Sequence, residues 1–334
     1  MELHAATPAA PERRASQDRA GWWTLEWRAM GSAVTVLIWA PDLDAPHLLE
    51  RARARLEELE QSWSRFRPES ELSNLNRDPL ERVVVSEELA LILERSCRAW
   101  HATDGLFDPT VADAMVANGY GSSFDALRVV GSLRQSNFTQ PASPGAGMSE
   151  VVVEAVDVGW VVARPVGLRF DFGGIGKGLA ADLIAGFLVQ AGAESACVSI
   201  GGDVRMMGEA PDGGWLMAVE HPTHLAPWFE AIAADGAIVA STIRIKQWHS
   251  SDGRSMHHVV DPTTGVPTTS GLDGAVVHAA EGWWAEALST ALIVGGPARA
   301  EALCDRHDVA AWMVTTTGES IVSSRRTQRS GSYS

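Results

Sequence analysis

Hydrophobic positions change their spacing several times along the chain, and each spacing predicts a type of element. Residues 46–63 carry leucines and alanines three or four positions apart, as in an amphipathic helix. Ser86 precedes a similar run and predicts a capped helix that continues to about Thr103. After the turn at Met30-Gly31-Ser32, an alternating run up to Trp39 predicts a strand. Helices and strands are therefore expected to mix from the start of the chain.

The second half of the chain contains more short β-like runs. Strands are expected at 151–156, 168–172, 196–200, 237–248 and 256–261, and helices at 177–190, ended by Gly192, and at 282–294. The elements follow no regular βαβ period and no fixed internal repeat. We therefore predict an α+β fold rather than a doubly wound α/β fold.

Composition changes near both ends and near the middle of the chain. Residues 1–21 are rich in Ala, Pro and Arg and are expected to be disordered, and the polar tail 323–334 is expected to be mobile. Residues 22–322 then form the folded domain. Within it, the Gly/Pro/Ser-rich segment 131–150 is expected to mark a boundary between subdomains.

Charge and cysteine content argue against several classes of protein. The 334 residues include 27 Lys plus Arg and 42 Asp plus Glu, a net charge of −15 that disfavours binding to duplex nucleic acid. The three cysteines form no CxxC pair, which favours a reducing compartment and disfavours a thiolate metal site. No apolar run is long enough for a membrane helix and no secretory signal is recognisable. We therefore expect a cytoplasmic protein with no nucleic-acid partner and no stable membrane anchor.

The strongest local motif is the glycine-rich segment 168–188. A strand is predicted to end at Asp171-Phe172, four glycines follow, and a helix is predicted to begin near Lys177. Free N–H groups at a helix start, with a lysine, suit an anion such as phosphate. The spacing is neither GxxxxGK[ST] nor GxGxxG, and a tight turn without a ligand explains the glycines equally well. Asp171 favours a ligand, because a carboxylate beside a phosphate requires a divalent cation or a ligand hydroxyl between them.

Two further motifs carry groups suited to catalysis or metal binding. Strand alternation in MHHVVDPTTGVP places His257 and His258 on opposite faces, and either is a general base if it lines a cleft. A structural histidine is the simpler interpretation. On the helix at 282–294, Glu286 and Thr290 share a face and both offer hard oxygen ligands to Mg²⁺. A solvated glutamate and a threonine bonded within its own turn are the more ordinary alternative.

Seven motifs, in this order, resemble the ApbE family of FAD:protein FMN transferases, over most of residues 26–296. They are Met30-Gly31-Ser32, Ser64-Arg65-Phe66 followed by Ser70 to Asn76, Phe107 to Val111, Asp171 to Gly178, Gly201-Gly202-Asp203, His258 to Gly265, and Ala285 to Leu292. Each motif is weak alone, but the ordered set is hard to reach by chance. The chain is thus identified as a member of this family.

The resemblance implies two interlocked α+β subdomains with FAD in the cleft between them. It implies a Mg²⁺-dependent enzyme that transfers FMN from FAD to a Thr or Ser hydroxyl of a target flavoprotein and releases AMP. Two alternatives remain open. One is an FAD pyrophosphatase that yields FMN and AMP with water as the acceptor, and the other is an FAD-binding protein with weak or no transferase activity.

The resemblance also implies roles for individual residues. The residues expected to contact FAD are Met30, Phe66, Leu106, Phe107, Asp108, Asp171, Lys177 and Val260, with Lys177 meeting the pyrophosphate. The residues expected to bind the metal are Gly174, through its carbonyl oxygen, Glu286 and Thr290. His258 is expected to activate the acceptor hydroxyl, with His257 turned away from the cleft.

The chain departs from the family pattern in three places. Glu286 stands where the family usually has Asp, and the added methylene matters because Mg²⁺ requires near-ideal octahedral geometry. The segment 240–244 replaces a Thr-Ser-Gly segment and an aromatic-Arg pair, which affects the expected FAD or acceptor environment. The lipoprotein or secretion signal of periplasmic members is not recognisable, in line with the expected cytoplasmic location.

Overall fold

The structure is a computed structural model that describes residues 15–19, 21–121, 147–157, 159–209, 214–224, 226–250 and 253–323. The helices are α1 (Ala45–Trp63), α2 (Glu71–Arg77), α3 (Glu87–Ala102), α4 (Ala112–Ala117), α5 (Gly176–Gln190) and α6 (Gly282–His307). Two 3₁₀ helices lie at Pro109–Val111 and Gly147–Glu150. None of the helices in these ranges is both long and apolar enough to cross a membrane.

Sixteen strands occur in the described ranges. They are β1 (Ser16–Arg19), β2 (Trp22–Ala29), β3 (Ser32–Trp39), β4 (Arg82–Val85), β5 (Val152–Val156), β6 (Gly159–Ala163), β7 (Ser195–Ile200), β8 (Asp203–Gly208), β9 (Trp215–Glu220), β10 (Pro227–Ala233), β11 (Gly236–Thr242), β12 (Gln247–His249), β13 (Ser255–His257), β14 (Leu272–Ala279), β15 (Ala310–Thr315) and β16 (Ser320–Ser323).

An antiparallel sheet of nine strands organises the molecule, in the order β1-β2-β3-β7-β8-β11-β14-β15-β16. Three small sheets accompany it: β4-β6-β5, β9-β10 and β12-β13. Every neighbouring pair of strands in the large sheet is antiparallel and the helices follow no regular βαβ alternation, so the predicted α+β class is confirmed. The division into two subdomains stays a prediction.

Both faces of the large sheet are covered. On one face, α1, α5 and α6 contribute their apolar side chains to the main core, with Leu56, Ile184 and Leu288 fully buried. On the other face, β9 and β10 pack Trp215 and Met217 against Met206 of the sheet. Burial on two faces explains why β7 and β14 consist almost entirely of buried residues.

The structure confirms the predicted helices at 46–63, from Ser86, at 177–190 and at 282–294, which correspond to α1, α3, α5 and α6. Ser86 Oγ accepts the Leu89 N–H at 3.2 Å as the cap of α3. The last helix extends further than predicted, to His307, with a break at Gly296, whose φ is +71°, followed by Pro297.

Three predicted strands differ from those observed. Residues 168–172 are not a strand; two hydrogen bonds join the Phe170 backbone to the Asn76 side chain instead. The run 237–248 is interrupted between β11 and β12, where Thr242 Oγ1 accepts the Arg244 N–H at 3.1 Å in place of ladder bonding. The run 256–261 ends as a strand at His257 and continues as a bend.

The two ends of the chain are more ordered than predicted where the structure describes them. Disorder over all of 1–21 is wrong for Ser16–Arg19, which pairs with β2 as the edge strand of the large sheet. The predicted mobile tail is wrong for Ser323, which ends β16, and its remainder lies outside the described residues. The predicted boundary at 131–150 lies outside them as well, except for the 3₁₀ helix at Gly147–Glu150.

Candidate active site

The starts of α5 and α6 touch each other at two glycines. A Cβ on Gly178 would lie 2.2 Å from the carbonyl oxygen of Gly282, and a Cβ on Gly282 would lie 2.6 Å from that of Gly178. Only glycine permits so close a backbone approach. Asp182, one turn after Gly178 in α5, accepts the Gly282 and Trp283 N–H groups at 2.8 and 2.9 Å and so caps α6. The first turns of the two helices are thereby held together.

This contact places Lys177 against Glu286. The Lys177 ammonium donates to Glu286 Oε1 and, at 2.5 Å, to Oδ2 of Asp203, which follows the Gly201-Gly202 turn between β7 and β8. The other oxygen of Glu286 accepts the Gly178 N–H at 2.8 Å. One ammonium therefore lies between two carboxylates that are almost completely buried, since Glu286 and Asp203 are each only 2% exposed.

This cluster contains two carboxylates, Asp203 and Glu286, but only one ammonium, that of Lys177. Burial raises the pKa of Glu286 to about 7, the Asp203 charge adds to the rise, and Lys177 offsets part of it. Burial lowers the pKa of Lys177, but the two carboxylates outweigh it and the pKa is raised. Lys177 thus stays charged, while the carboxyl group of Glu286 titrates near neutral pH.

Asp171 reaches the site from the connection that follows β6. Its carboxylate accepts from Arg65 Nε and, at 2.7 Å, from the Gly173 N–H, and its own N–H donates to the Pro109 carbonyl oxygen at 2.7 Å. The two ion-paired side chains are only 9% exposed. The glycine-rich segment is consequently tied to the loop before α2, even though no strand precedes it.

Aromatic side chains surround Arg65 at this end of the molecule. Its guanidinium lies 4.1 Å from the Phe66 ring centre and 5.1 Å from that of Tyr120. Tyr120 stacks on Trp248 with ring centres 5.5 Å apart, and buried Val260 packs in the same cluster. Phe66 is 39% exposed, so part of its ring remains accessible to a planar ligand ring.

The residues at 106–108 are mainly engaged with the protein. Leu106 and Phe107 are buried. Asp108 Oδ1 accepts from the Thr110 N–H at 2.8 Å and Oδ2 from Trp100 Nε1 at 3.0 Å, and burial raises the pKa of its carboxyl group. Asp108 therefore has a structural role whether or not it also contacts a ligand.

Gly174 lies between α6 and the Phe107 ring. A Cβ on Gly174 would be 3.2 Å from Thr290 Oγ1 and 3.3 Å from Phe107 Cε2. Thr290 follows Glu286 by one helical turn, so its hydroxyl, the Glu286 carboxylate and the Gly174 backbone are neighbours. Three predicted metal-binding residues are thus in the same region.

Met30 lies in the turn between β2 and β3, with a φ of +52°, and its N–H donates to Glu60 Oε2 at 2.9 Å. This turn approaches the Gly201-Gly202 turn, because Ala33 accepts the Gly201 N–H at 2.9 Å. Lys177 is nearby, since a Cβ on Gly201 would lie 3.6 Å from Lys177 Cδ. Met30 therefore lies at the end of the sheet where the lysine cluster is found.

The two adjacent histidines have different surroundings. His257 is buried, with Nε2 3.0 Å from the Thr268 carbonyl oxygen and Nδ1 accepting the Val259 N–H at 3.3 Å. His258 Nδ1 is buried without a hydrogen-bond partner among the described residues. Burial lowers the pKa of His258 well below its ordinary value, and the charges of Lys246, His257 and Lys177 lower it further. His258 is thus a neutral imidazole close to both lysines.

Three residues of this site were missed among the predicted site residues: Arg65, Asp203 and Lys246. Arg65 and Asp203 belong to quoted motifs, and adjacency to Phe66 and to the Gly201-Gly202 turn was the available signal. Lys246 lies in the bend before β12 and interacts electrostatically with Lys177, Asp203, Asp171 and Glu286. The available sequence signal was the scarcity of lysine, because the chain has only two lysines, Lys177 and Lys246.

The model of the ApbE family matches residues 30–313 of the chain. The chain belongs to the ApbE family. A relative from Escherichia coli K12, named FAD:protein FMN transferase, is 28% identical over 303 residues, covering 89% of this chain and 85% of the relative. A relative of the same name from Vibrio cholerae is 27% identical over 267 residues, covering 79% and 78%.

Solved ApbE structures share the fold. The ApbE protein from Thermotoga maritima superposes with a TM-score of 0.78 at 24% identity, covering 92% of this chain and 98% of that protein. The flavin transferase ApbE from Vibrio cholerae gives a TM-score of 0.74 at 24% identity, covering 93% and 99%.

One segment in which this ApbE chain departs from the expected motif has an internal role. Thr242 Oγ1 donates to the Asp273 carbonyl oxygen at 3.0 Å, and Arg244 Nη2 donates to Oδ2 of Asp273 at 2.5 Å. Ser241 Oγ lies 2.7 Å from Ser289 Oγ of α6. The segment therefore joins β11 to β14 and α6, two residues before Lys246.

Proposed function

We propose that this protein is an FAD:protein FMN transferase, which transfers FMN from FAD to a Thr or Ser hydroxyl of a target flavoprotein and releases AMP. Family membership supports flavin transfer, and the observation that carries the proposal is the position of His258, opposite Lys246 at the end of the β12–β13 hairpin and within electrostatic reach of Lys177. A neutral base next to a fixed ammonium suits transfer of a phosphoryl-linked group to a hydroxyl.

The residues present fit a divalent cation. Glu286 supplies a carboxylate, Thr290 a hydroxyl and Gly174 a carbonyl oxygen, which are hard oxygen donors of the kind that Mg²⁺ prefers. The raised pKa of Glu286 supports an additional positive charge at this place. No group of three or more His, Cys, Asp or Glu side chains within the described ranges could hold a metal, as expected for a set with one carboxylate. A bound Mg²⁺ would act as a Lewis acid toward phosphate oxygen.

The chain's own residues then divide the chemistry. Lys177 neutralises a non-bridging oxygen of the pyrophosphate, and Asp203 and Glu286 hold its ammonium in place. His258 accepts the proton of the acceptor hydroxyl, whose oxygen forms a bond to the phosphorus of the FMN half. The bridging P–O bond breaks, and its oxygen and electron pair leave with AMP. Phe66 offers an exposed face for stacking against one of the ring systems of FAD.

The experiment incubates the purified protein with FAD and Mg²⁺ and quantifies AMP, FMN and peptide-linked flavin by chromatography and mass spectrometry. A peptide containing one threonine is compared with the same peptide carrying alanine. AMP and linked flavin that appear only with the threonine peptide support the transferase. AMP without any peptide indicates the pyrophosphatase. FAD binding without AMP in any sample, including samples with candidate flavoprotein acceptors, indicates a binding protein.

A further inference from the structure

Lysine is nearly absent from this chain, and its distribution is not random. Of 27 basic residues only Lys177 and Lys246 are lysines, although they are 69 positions apart. The fold brings both into one electrostatic cluster, since each influences the pKa of His258 and Lys177 influences that of Lys246. Arginine serves at every other basic position.

The position of Lys246 follows from the β12–β13 hairpin. Gln247 pairs with His257, so Lys246 precedes the paired region on the side where His258 follows it. A backbone hydrogen bond between Lys246 and the His258 side chain connects the two further. The lysine is therefore adjacent to the proposed base.

Lys246 has no carboxylate in contact. No hydrogen bond or ion pair of its ammonium is found among the described residues, and the residue is half-buried. The nearby carboxylates have other partners: Asp171 binds Arg65, while Asp203 and Glu286 bind Lys177. An ammonium that is partly withdrawn from water favours a nearby counter-charge, and a ligand could supply one here.

We propose that Lys246 binds a phosphate group of the diphosphate substrate, opposite Lys177. The proposal rests on the proposed function, in which a pyrophosphate lies between the two lysines and the imidazole of His258. A lysine suits this position because its compact ammonium acts as a point charge on phosphate oxygen, and an arginine there would keep the positive charge and the donors to phosphate. The burial of Lys246 and the adjacent Lys177 charge both lower the pKa of Lys246, and a phosphate anion would relieve that repulsion.

The first test measures the dissociation constant of FAD by flavin fluorescence for the wild type, Lys246→Met, Lys246→Arg and Arg306→Met. Lys246→Met is expected to weaken FAD at least tenfold, and Lys246→Arg is expected to restore most of the affinity. Arg306→Met is the matched control, because it removes one positive charge from a half-exposed ion pair with Asp104, twenty residues along α6 from Glu286. Its affinity is expected to equal that of the wild type.

Equal affinity of Lys246→Met and wild type would overturn the proposal, and so would equal weakening by Lys246→Met and Arg306→Met, which would indicate a general charge effect. Thermal unfolding checks that each variant is folded, and a Lys246→Arg protein that binds no better than Lys246→Met while remaining folded also counts against it.

A second test measures the NMR signal of the Lys246 side chain itself. Reductive methylation with ¹³C-formaldehyde labels the two lysines and the N-terminus and keeps their positive charge, and Lys246→Arg assigns the Lys246 signal. Inorganic pyrophosphate is expected to shift the Lys246 and Lys177 signals and leave that of the N-terminus in place. A wild type that fails to bind FAD would refute the proposed function, and the pyrophosphate titration would then decide separately whether Lys246 binds phosphate. An unmoved Lys246 signal would refute the anion site.

Discussion

At the scale of single residues, the ion cluster around Lys177 dominates the energetics of the site. Glu286 and Asp203 are buried, and Lys177 is in contact with both. Removing one partner of such a cluster leaves an uncompensated buried charge, whereas removing a matched pair does not. The cluster therefore makes a prediction about stability that is independent of catalysis.

Lys177→Met is expected to lower the free energy of unfolding by about 3–5 kcal/mol, because two buried carboxylates lose their cation. Adding Glu286→Gln to that variant is expected to recover part of the loss, since only one carboxylate then remains. Urea unfolding of the two single variants and the double variant gives the coupling energy. Strictly additive effects would contradict the cluster.

His258→Ala is expected to bind FAD with nearly unchanged affinity and to transfer flavin roughly 10²- to 10⁴-fold more slowly, as for loss of a general base. Fluorescence titration measures the binding, and single-turnover formation of flavinylated product measures the transfer. His221→Ala, in the turn between β9 and β10, is the control and is expected to change neither. Unchanged transfer by His258→Ala would remove the imidazole from the mechanism.

The sequence predicted part of this site for physical reasons that can be stated. Asp171, the glycines and Lys177 are neighbours in the chain, so an anion site could be predicted there, with a tight turn without a ligand as the alternative. The partners of Lys177 lie 26 and 109 residues away, at Asp203 and Glu286, and no local pattern indicates such pairings. Lys246 carries no motif at all, and its role depends on the bend before β12.

At the scale of elements, the contact between the starts of α5 and α6 determines the site. It depends on Gly178, whose Cα faces the Gly282 carbonyl, and on Asp182, which caps α6. Long apolar periodicity made both helices predictable. The strand at 237–248 was predicted as continuous because its interruption depends on hydrogen bonds of the Thr242 side chain, which the hydrophobic pattern does not register.

Gly178→Ala is expected to destabilise the protein by about 1–3 kcal/mol, because its Cβ would overlap the Gly282 carbonyl and separate the helices. Gly186→Ala is the matched control in the same helix. A Cβ there meets nothing within 4 Å, so this variant is expected to gain about 0.5–1 kcal/mol of helix propensity. Urea denaturation compares the two, and equal effects would contradict the close helix contact.

Asp182 gives the helix contact a pH dependence. Burial raises the pKa of its carboxyl group to about 6, although the Gly282 and Trp283 N–H groups and Arg205 oppose the rise. The folded state therefore holds this proton more tightly than the unfolded chain, and the resulting stability is complete below about pH 4 and lost as the pH rises through about 6.

The free energy of unfolding of the wild type, relative to Asp182→Asn, is accordingly expected to fall by as much as about 3 kcal/mol between about pH 4 and pH 7. Urea titrations at several pH values measure the difference between the two proteins. Parallel stability curves would show that Asp182 has an ordinary pKa in the folded protein.

At the scale of the whole molecule, the nine-stranded sheet brings distant parts of the chain together. β3 pairs with β7 and β11 pairs with both β8 and β14, so the strand order does not follow the chain. The α+β class could be predicted from local patterns. The strand order could not, since it is determined by which apolar faces meet after collapse.

A ligand bound at the proposed site is expected to stabilise the whole molecule, because the proposed site is formed by α5, α6, the β7–β8 turn and the β12–β13 hairpin together. FAD at a hundred times its dissociation constant is expected to add about 2.7 kcal/mol and to raise Tm by a few degrees. Differential scanning calorimetry with FAD, riboflavin and buffer alone measures the shift in the presence of EDTA. Riboflavin, without the diphosphate, is expected to give a smaller shift than FAD.

The scarcity of lysine has a consequence for proteolysis. An endoprotease that cleaves only after lysine has two sites in the whole chain, and complete digestion would yield fragments 1–177, 178–246 and 247–334. Lys177 lies in the first turn of α5 against α6, where a protease cannot bind the backbone unless that region opens. The rate of cleavage after Lys177, which releases fragment 1–177, thus reports how often the starts of α5 and α6 separate. A slower cleavage with FAD present would measure how strongly the substrate holds the two helix starts together.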